Sequence, residues 1–237
     1  MLVLSLFVAL LLTQAPCPAG WAPLASDACL LRGDAPGVIV YFHGMMAPSA
    51  KAFGWELSFL GVAPKKKRSP VVVLRGTPGL CDWSSEYTQW WCWPSVRARL
   101  PEVSATMKRL GGVLATAGQA LGRSLPAPLL VGYSNGGYFL TLVMGDTRVR
   151  ASGYVVINAG LVKDVSFAAE QRAPTLLISG AADAIQRPAM ESLRATLNAA
   201  GWAPTWFLRD GSHPPELVDF GRVLDFASTL EWQPSGE

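Results

Sequence analysis

Residues 129–137 read Leu-Leu-Val-Gly-Tyr-Ser-Asn-Gly-Gly, and no other stretch of the chain restricts its fold as tightly. An apolar run ends at Gly132, Ser134 follows one residue later, and Gly136 and Gly137 precede a second apolar segment of helical length. This is G-x-S-x-G between a predicted strand and a predicted helix. The pattern needs a turn so sharp that the serine backbone is strained and the residues two positions either side are small. Such a turn raises a hydroxyl at the C-terminal edge of a sheet, beside a helix N-terminus that favours negative charge. Serine alone is a weak nucleophile, so the motif implies catalysis only with a base and an acid nearby. The competing reading is a glycine-rich turn that caps a helix.

The rest of the chain supplies a matching alternation. Residues 37–42 read as a buried strand, and residues 71–74, 129–131, 154–157, 175–178 and 205–208 as further short strands. Helices are expected over 49–60, over 95–121 with Pro101 near the first turn or at a kink, after Ser134, over 188–199, and from Glu216 to about Leu230. The order is β-α-β-α throughout, with an irregular aromatic segment at residues 77–94. These features predict an α/β class, with a mostly parallel sheet covered by helices on both faces. The 237 residues, half of them hydrophobic, suffice for one domain with a sizeable core.

A net charge of +3 spread along the chain gives no case for nucleic acid binding. The one charge block, Lys65-Lys66-Lys67-Arg68, reads as a solvated loop. Residues 1–12 form an apolar block too short to span a bilayer, followed by a Pro- and Ala-rich stretch. This resembles a secretory leader over residues 1–19, although no Lys or Arg precedes the block. Cleavage after Ala15 or after Ala19 leaves a single domain that runs to residue 237 and is expected to carry no membrane span. The four cysteines fall into two local pairs, Cys17 with Cys29 and Cys81 with Cys92. Disulfides at those positions agree with a secreted or periplasmic protein. No spacing resembles a metal site, and no cofactor is expected.

The base emerges by elimination, because the chain has two histidines, His43 and His213. His43 opens a His-Gly loop after a strand, where neighbouring amides are placed to stabilise an oxyanion. His213 lies after the last strand, from where it can reach Ser134. The orienting acid is expected to be Asp183, in Gly180-Ala181-Ala182-Asp183, with Asp164 and Asp210 as rivals. Asp146 reads as structural.

With its His-Gly loop at His43-Gly44, its elbow at Gly132–Gly136, Gly-x-x-Asp at Gly180–Asp183 and its late His213, the chain resembles the α/β-hydrolase superfamily over about residues 28–231. The resemblance implies Ser134 as nucleophile, Asp183 as acid, His213 as base, and the backbone N–H groups of Met45 and Asn135 as the oxyanion hole. Only residues 158–174 separate two strands where larger members insert a helical cap, so no cap domain is expected and the site should be open.

Trp83, Tyr87, Trp90, Trp91 and Trp93 crowd the segment bracketed by Cys81 and Cys92. They read either as a stapled wall that binds substrate, with Trp83, Tyr87, Trp90 and Trp91 as candidates, or as a satellite core. The expected reaction is hydrolysis of a small-molecule or polymeric carboxylic ester through an acyl-enzyme. Thioester or peptide cleavage by the same triad, and an inactive hydrolase-fold binding module, are the alternatives.

Overall fold

The computed structural model describes residues 17–48, 51–61, 68–145 and 149–234. Residues 1–16 of the expected leader, Lys65–Lys67 and Asp146 therefore lie outside the described residues.

Eight strands form one sheet. In chain order they are β1 (Ala22–Ala25), β2 (Ala28–Leu31), β3 (Ile39–Phe42), β4 (Val71–Leu74), β7 (Leu129–Tyr133), β8 (Gly153–Ile157), β9 (Thr175–Gly180) and β10 (Thr205–Arg209). Their spatial order is β1-β2-β4-β3-β7-β8-β9-β10. Every pairing from β4 to β10 is parallel, while β2 is antiparallel to both β1 and β4. A short antiparallel hairpin, β5 (Thr77–Pro78) and β6 (Trp91–Cys92), stands apart from the sheet.

The strand sequences explain why both faces are covered. β3, β4, β7 and β8 are apolar at almost every position and fully buried, so alternate side chains enter two separate cores. Val40, Phe42, Leu130 and Val156 pack on one face with α2 (Leu100–Leu121), α3 (Asn135–Met144) and α4 (Gln186–Ala199). Ile39, Tyr41, Val131 and Ile157 pack on the other with α1 (Lys51–Leu60) and α5 (Leu217–Ser228). Pro101 sits in the first turn of α2, where no N–H is needed, so it starts the helix rather than kinking it.

Three expectations are corrected. The alternation of strand and helix does not hold at the N-terminus, where β1 and β2 form a hairpin without a helix; Pro23 and three alanines gave this pair no β-rich signature. The aromatic segment is not wholly irregular, since it contains β5, β6 and a 3₁₀ turn at Ser85–Tyr87. Arg68, expected to be solvated, is 7% exposed and donates to the carbonyls of Arg32 and Gly61. The long aliphatic stem makes such burial possible when the guanidinium finds acceptors. Residues 158–174 carry only the 3₁₀ turn Ala169–Gln171, so no cap covers the sheet edge there. Cys17 is bonded to Cys29 in β2, and Cys81 to Cys92 in β6.

Candidate active site

Ser134 occupies the single position between β7 and α3, with φ 50° and ψ −117°. This left-handed backbone is costly for a residue with a Cβ and persists only where the surroundings enforce it. Here the enforcement is visible. The Ser134 N–H donates to the carbonyl of Ile157 (2.9 Å), and its own carbonyl accepts from the N–H of Tyr138 (3.0 Å). The motif glycines are demanded by close approach. A Cβ on Gly132 would lie 2.3 Å from the Gly136 carbonyl oxygen, and one on Gly136 would lie 2.2 Å from that of Phe42.

His213, in the loop from β10 to α5, joins two elements. Its Nε2 is 3.0 Å from Ser134 Oγ, and its Nδ1 is 2.8 Å from Asp183 Oδ2. Asp183 is 4% exposed, and its Oδ1 accepts the N–H of Gln186 at the start of α4 (3.0 Å). A carboxylate facing Nδ1 keeps the imidazole proton there and leaves Nε2 to accept from the serine hydroxyl. Asp164 and Asp210 are exposed; Asp183 is the one of the three that meets His213.

Two residues that sequence reasoning missed hold the histidine loop. Asn158, fully buried at the end of β8, donates from Nδ2 to the His213 carbonyl (2.7 Å) and accepts the Gly180 N–H at Oδ1 (2.8 Å). Arg209, at the end of β10, donates to the carbonyls of Asp210 (3.1 Å), Ser212 (2.9 Å) and Pro214 (2.7 Å). The same guanidinium meets Glu216 Oε1 (2.7 Å) and Asp219 Oδ2 (2.9 Å). A planar fork with five donors can tie a loop and a helix start together in this way. The signal available in sequence was slight: an Asn and an Arg, each closing an apolar strand.

The His-Gly loop is fixed by the aromatic segment. His43 is 2% exposed; its Nε2 accepts the Gly76 N–H (2.9 Å), so its proton sits on Nδ1, which donates to the Gly44 carbonyl. Burial lowers its pKa to about 4, and it stays neutral. Met46 and Trp91 exchange backbone hydrogen bonds at 3.1 and 2.8 Å. Trp93 is buried, and its indole N–H donates to the His43 carbonyl (3.0 Å). The Asn135 side chain then clamps the Trp93 backbone, accepting its N–H (2.7 Å) and donating to its carbonyl (3.2 Å). Met45 and Asn135, the expected oxyanion donors, thus belong to loops joined through one tryptophan. Beneath them Glu56 accepts from Tyr41 Oη (2.6 Å) and from the Gly44 N–H, and burial raises its carboxyl to about 7.

The other aromatic candidates divide. Trp91 packs under the Arg75 guanidinium at 4.8 Å, Tyr87 meets Trp90 edge-on at 4.8 Å, and all three are half-buried. Trp83 is 52% exposed and stands edge-on to Tyr138 of α3. A larger depression of about 840 Å³ lies between the C-terminal half of α2 and the start of β7, at the sheet edge away from Ser134.

No protein-family model matches the sequence, and no curated protein matches it. Solved structures do. A carboxylesterase from Mesorhizobium loti aligns with TM-score 0.62 and 19% identity over 85% of this chain and 94% of its own. A Bacillus cereus carboxylesterase aligns with TM-score 0.61 and 14% identity, over 85% of this chain and 92% of its own. Zea mays acyl-protein thioesterase 2 follows with TM-score 0.59 and 15% identity, over 85% and 97%. At such identities the likeness establishes architecture. The chain has the α/β-hydrolase fold, in a small form without a cap.

Proposed function

We propose that the protein is a serine hydrolase of carboxylic esters. The observation that carries this reading is His213, with Ser134 Oγ at one ring nitrogen and Asp183 Oδ2 at the other. In the proposed reaction Ser134 Oγ attacks the ester carbonyl while His213 Nε2 takes the hydroxyl proton. The Met45 and Asn135 N–H groups receive the developing oxyanion. Collapse breaks the ester C–O bond, and His213 returns the proton to the leaving alcohol. Water, deprotonated by the same nitrogen, then releases the acid from the acyl-enzyme. Asp183 holds the imidazole tautomer and faces the imidazolium throughout.

Ser134→Ala is expected to lower kcat on 4-nitrophenyl acetate by roughly 10⁴–10⁶-fold and to abolish labelling by a fluorophosphonate, with the melting temperature retained. Labelling that persists in this variant would overturn the assignment. A panel of oxygen esters, thioesters and peptides ranks the bond cleaved.

The two disulfides support export to an oxidising compartment. The Cys17–Cys29 bridge favours leader cleavage after Ala15, because a cut after Ala19 would discard Cys17. The mass of the exported protein decides: a chain starting at Pro16 is expected, and one starting at Gly20 rules the bridge out.

A further inference from the structure

We propose that the groove lined by the Trp83–Tyr138 pair receives the acyl half of the ester, and that its walls select a planar aromatic acyl group on a short spacer. The inference rests on the serine-hydrolase reading above. The groove measures about 420 Å³, with Trp83 and Tyr138 as walls and Val96, Leu161 and Val162 among its lining. Tyr138 lies one helical turn beyond Ser134 and donates its N–H to the serine carbonyl, which sets this wall of the groove one turn of α3 from the nucleophile. Exposed apolar surface gathers at this place. Trp83 (52%) and Val96 (37%) are exposed along the groove, and Ile185 (79%) is exposed next in sequence to Gln186, whose Oε1 accepts from the Tyr138 hydroxyl at 2.7 Å. Such concentration marks a binding surface more often than scattered exposure does.

The two faces of the sheet decide which half of the ester enters. Tyr138, Leu161 and Val162 belong to the core under α2, α3 and α4. His213 arrives from the β10–α5 loop, and its ring lies 5.4 Å from Tyr133, which packs into the opposite core. The leaving oxygen must face His213 Nε2 to collect its proton, so the alcohol departs on that side and the acyl group extends into the groove.

The walls decide the chemistry. The rings of Trp83 and Tyr138 are in edge-to-face contact, with centroids 5.3 Å apart at 65°, and the corner they form offers aromatic surface against which a third ring can pack. The corner is held in place: Tyr138 by Gln186, and the Trp83 loop by the Asp82–Arg99 ion pair (2.7 Å) and the Cys81–Cys92 bridge. A rigid ring gives up fewer rotors on entering such a corner than an alkyl chain does. The groove is also short. Arg97 donates to the Asp164 carbonyl and so joins its two lips, and Lys163 lies beside them. A long alkyl chain would run onto these ionised groups.

The test compares 4-nitrophenyl 3-phenylpropanoate with 4-nitrophenyl nonanoate, which has the same number of acyl carbons, and with the acetate. The wild type should favour the phenylpropanoate over the nonanoate at least tenfold in kcat/KM. Trp83→Ala should cut the phenylpropanoate-to-acetate ratio at least fivefold, chiefly through KM, and Trp83→Phe should restore most of it. Equal or better turnover of the nonanoate by the wild type, or an unchanged ratio in Trp83→Ala, overturns the proposal. A second arm needs no turnover: methyl 3-phenylpropanoate is titrated into Ser134→Ala and into Ser134→Ala/Trp83→Ala. Binding at least fivefold weaker in the double variant supports the groove, and equal binding refutes it. Failure of the hydrolase reading itself is seen separately, as a wild type that takes no fluorophosphonate.

Discussion

Asn158 has φ 44°, no exposed surface, and a side-chain amide used at both ends. Its Oδ1 steadies the last residue of β9, three positions before Asp183, and its Nδ2 steadies the carbonyl of His213. Replacing it with Ala leaves two buried groups unpaired, a cost of about 1–3 kcal/mol each in similar settings. The replacement also frees the histidine loop to drift, and displacements of about 1 Å in a catalytic constellation cost on the order of 10²-fold. Asn158→Ala is therefore expected to lower kcat by ten- to a hundredfold with KM nearly constant. Asn158→Asp, which keeps the acceptor and loses the donor, should fall between that variant and the wild type. Equal kcat in all three proteins would make Asn158 a packing residue only.

At the scale of elements, the elbow was legible because its requirements are local. Two glycines, a serine and a strand-to-helix switch are all visible within nine residues. The meeting of Asp183 and His213, the proposed acid and base, was legible for a related reason, since each follows a strand that the apolar pattern marks. The β1–β2 hairpin was not, because Pro23, Ala25 and Ala28 carry no strand signature, and its pairing with β4 depends on contacts distant in sequence. The aromatic segment was half legible. Its bracketing cysteines pointed to a staple, but nothing local distinguishes Trp93, buried in the core, from Trp83, half exposed. That distinction arises from Asn135 and His43, which grip one and leave the other. The Cys81–Cys92 bridge closes a short loop that carries Trp90, Trp91 and the clamp to Met46. Its loss should cost roughly 2–3 kcal/mol, or about 5–10 °C of melting temperature. Cys81→Ser/Cys92→Ser is expected to show that shift together with a fall in kcat. A melting temperature within 2 °C of wild type would show that β5, β6 and the Trp93 clamp hold the loop unaided.

For the whole molecule, two titratable groups, the half-buried Glu56 and the buried His43, set opposing dependences of stability on pH. Glu56 keeps its proton in the folded state up to about 7, whereas its ordinary value is 4.5. Between those values rising pH draws a proton from the unfolded chain alone, so the contribution of Glu56 is whole below 4.5 and gone above 7. His43 acts in reverse. The fold refuses its proton until about 4, while the unfolded chain accepts one below 6.5. Its contribution is whole above 6.5 and fades toward 4. The two slopes oppose one another over most of the range. Glu56→Gln removes one of them, so its melting temperature relative to the wild type should climb from pH 4.5 to 7 and then level. The full rise corresponds to roughly 3 kcal/mol. A constant difference across that range would mean that Glu56 titrates as an ordinary carboxyl. Neither dependence could be read from sequence, since it takes the folded sheet to bury Glu56 against Tyr41 and His43 against Gly76.

The clamp between Asn135 and Trp93 also bears on how such a chain can be altered. The second variable position of the G-x-S-x-G motif is here matched to a loop some forty residues upstream. Anyone who transplants a different specificity loop between β4 and α2 inherits an asparagine with nothing to hold. Conversely, a donor loop brought in with its tryptophan needs that asparagine to seat it. The two segments form one exchangeable cassette, and grafts that respect the pairing should keep the proposed oxyanion hole intact while the rest of the loop is rewritten.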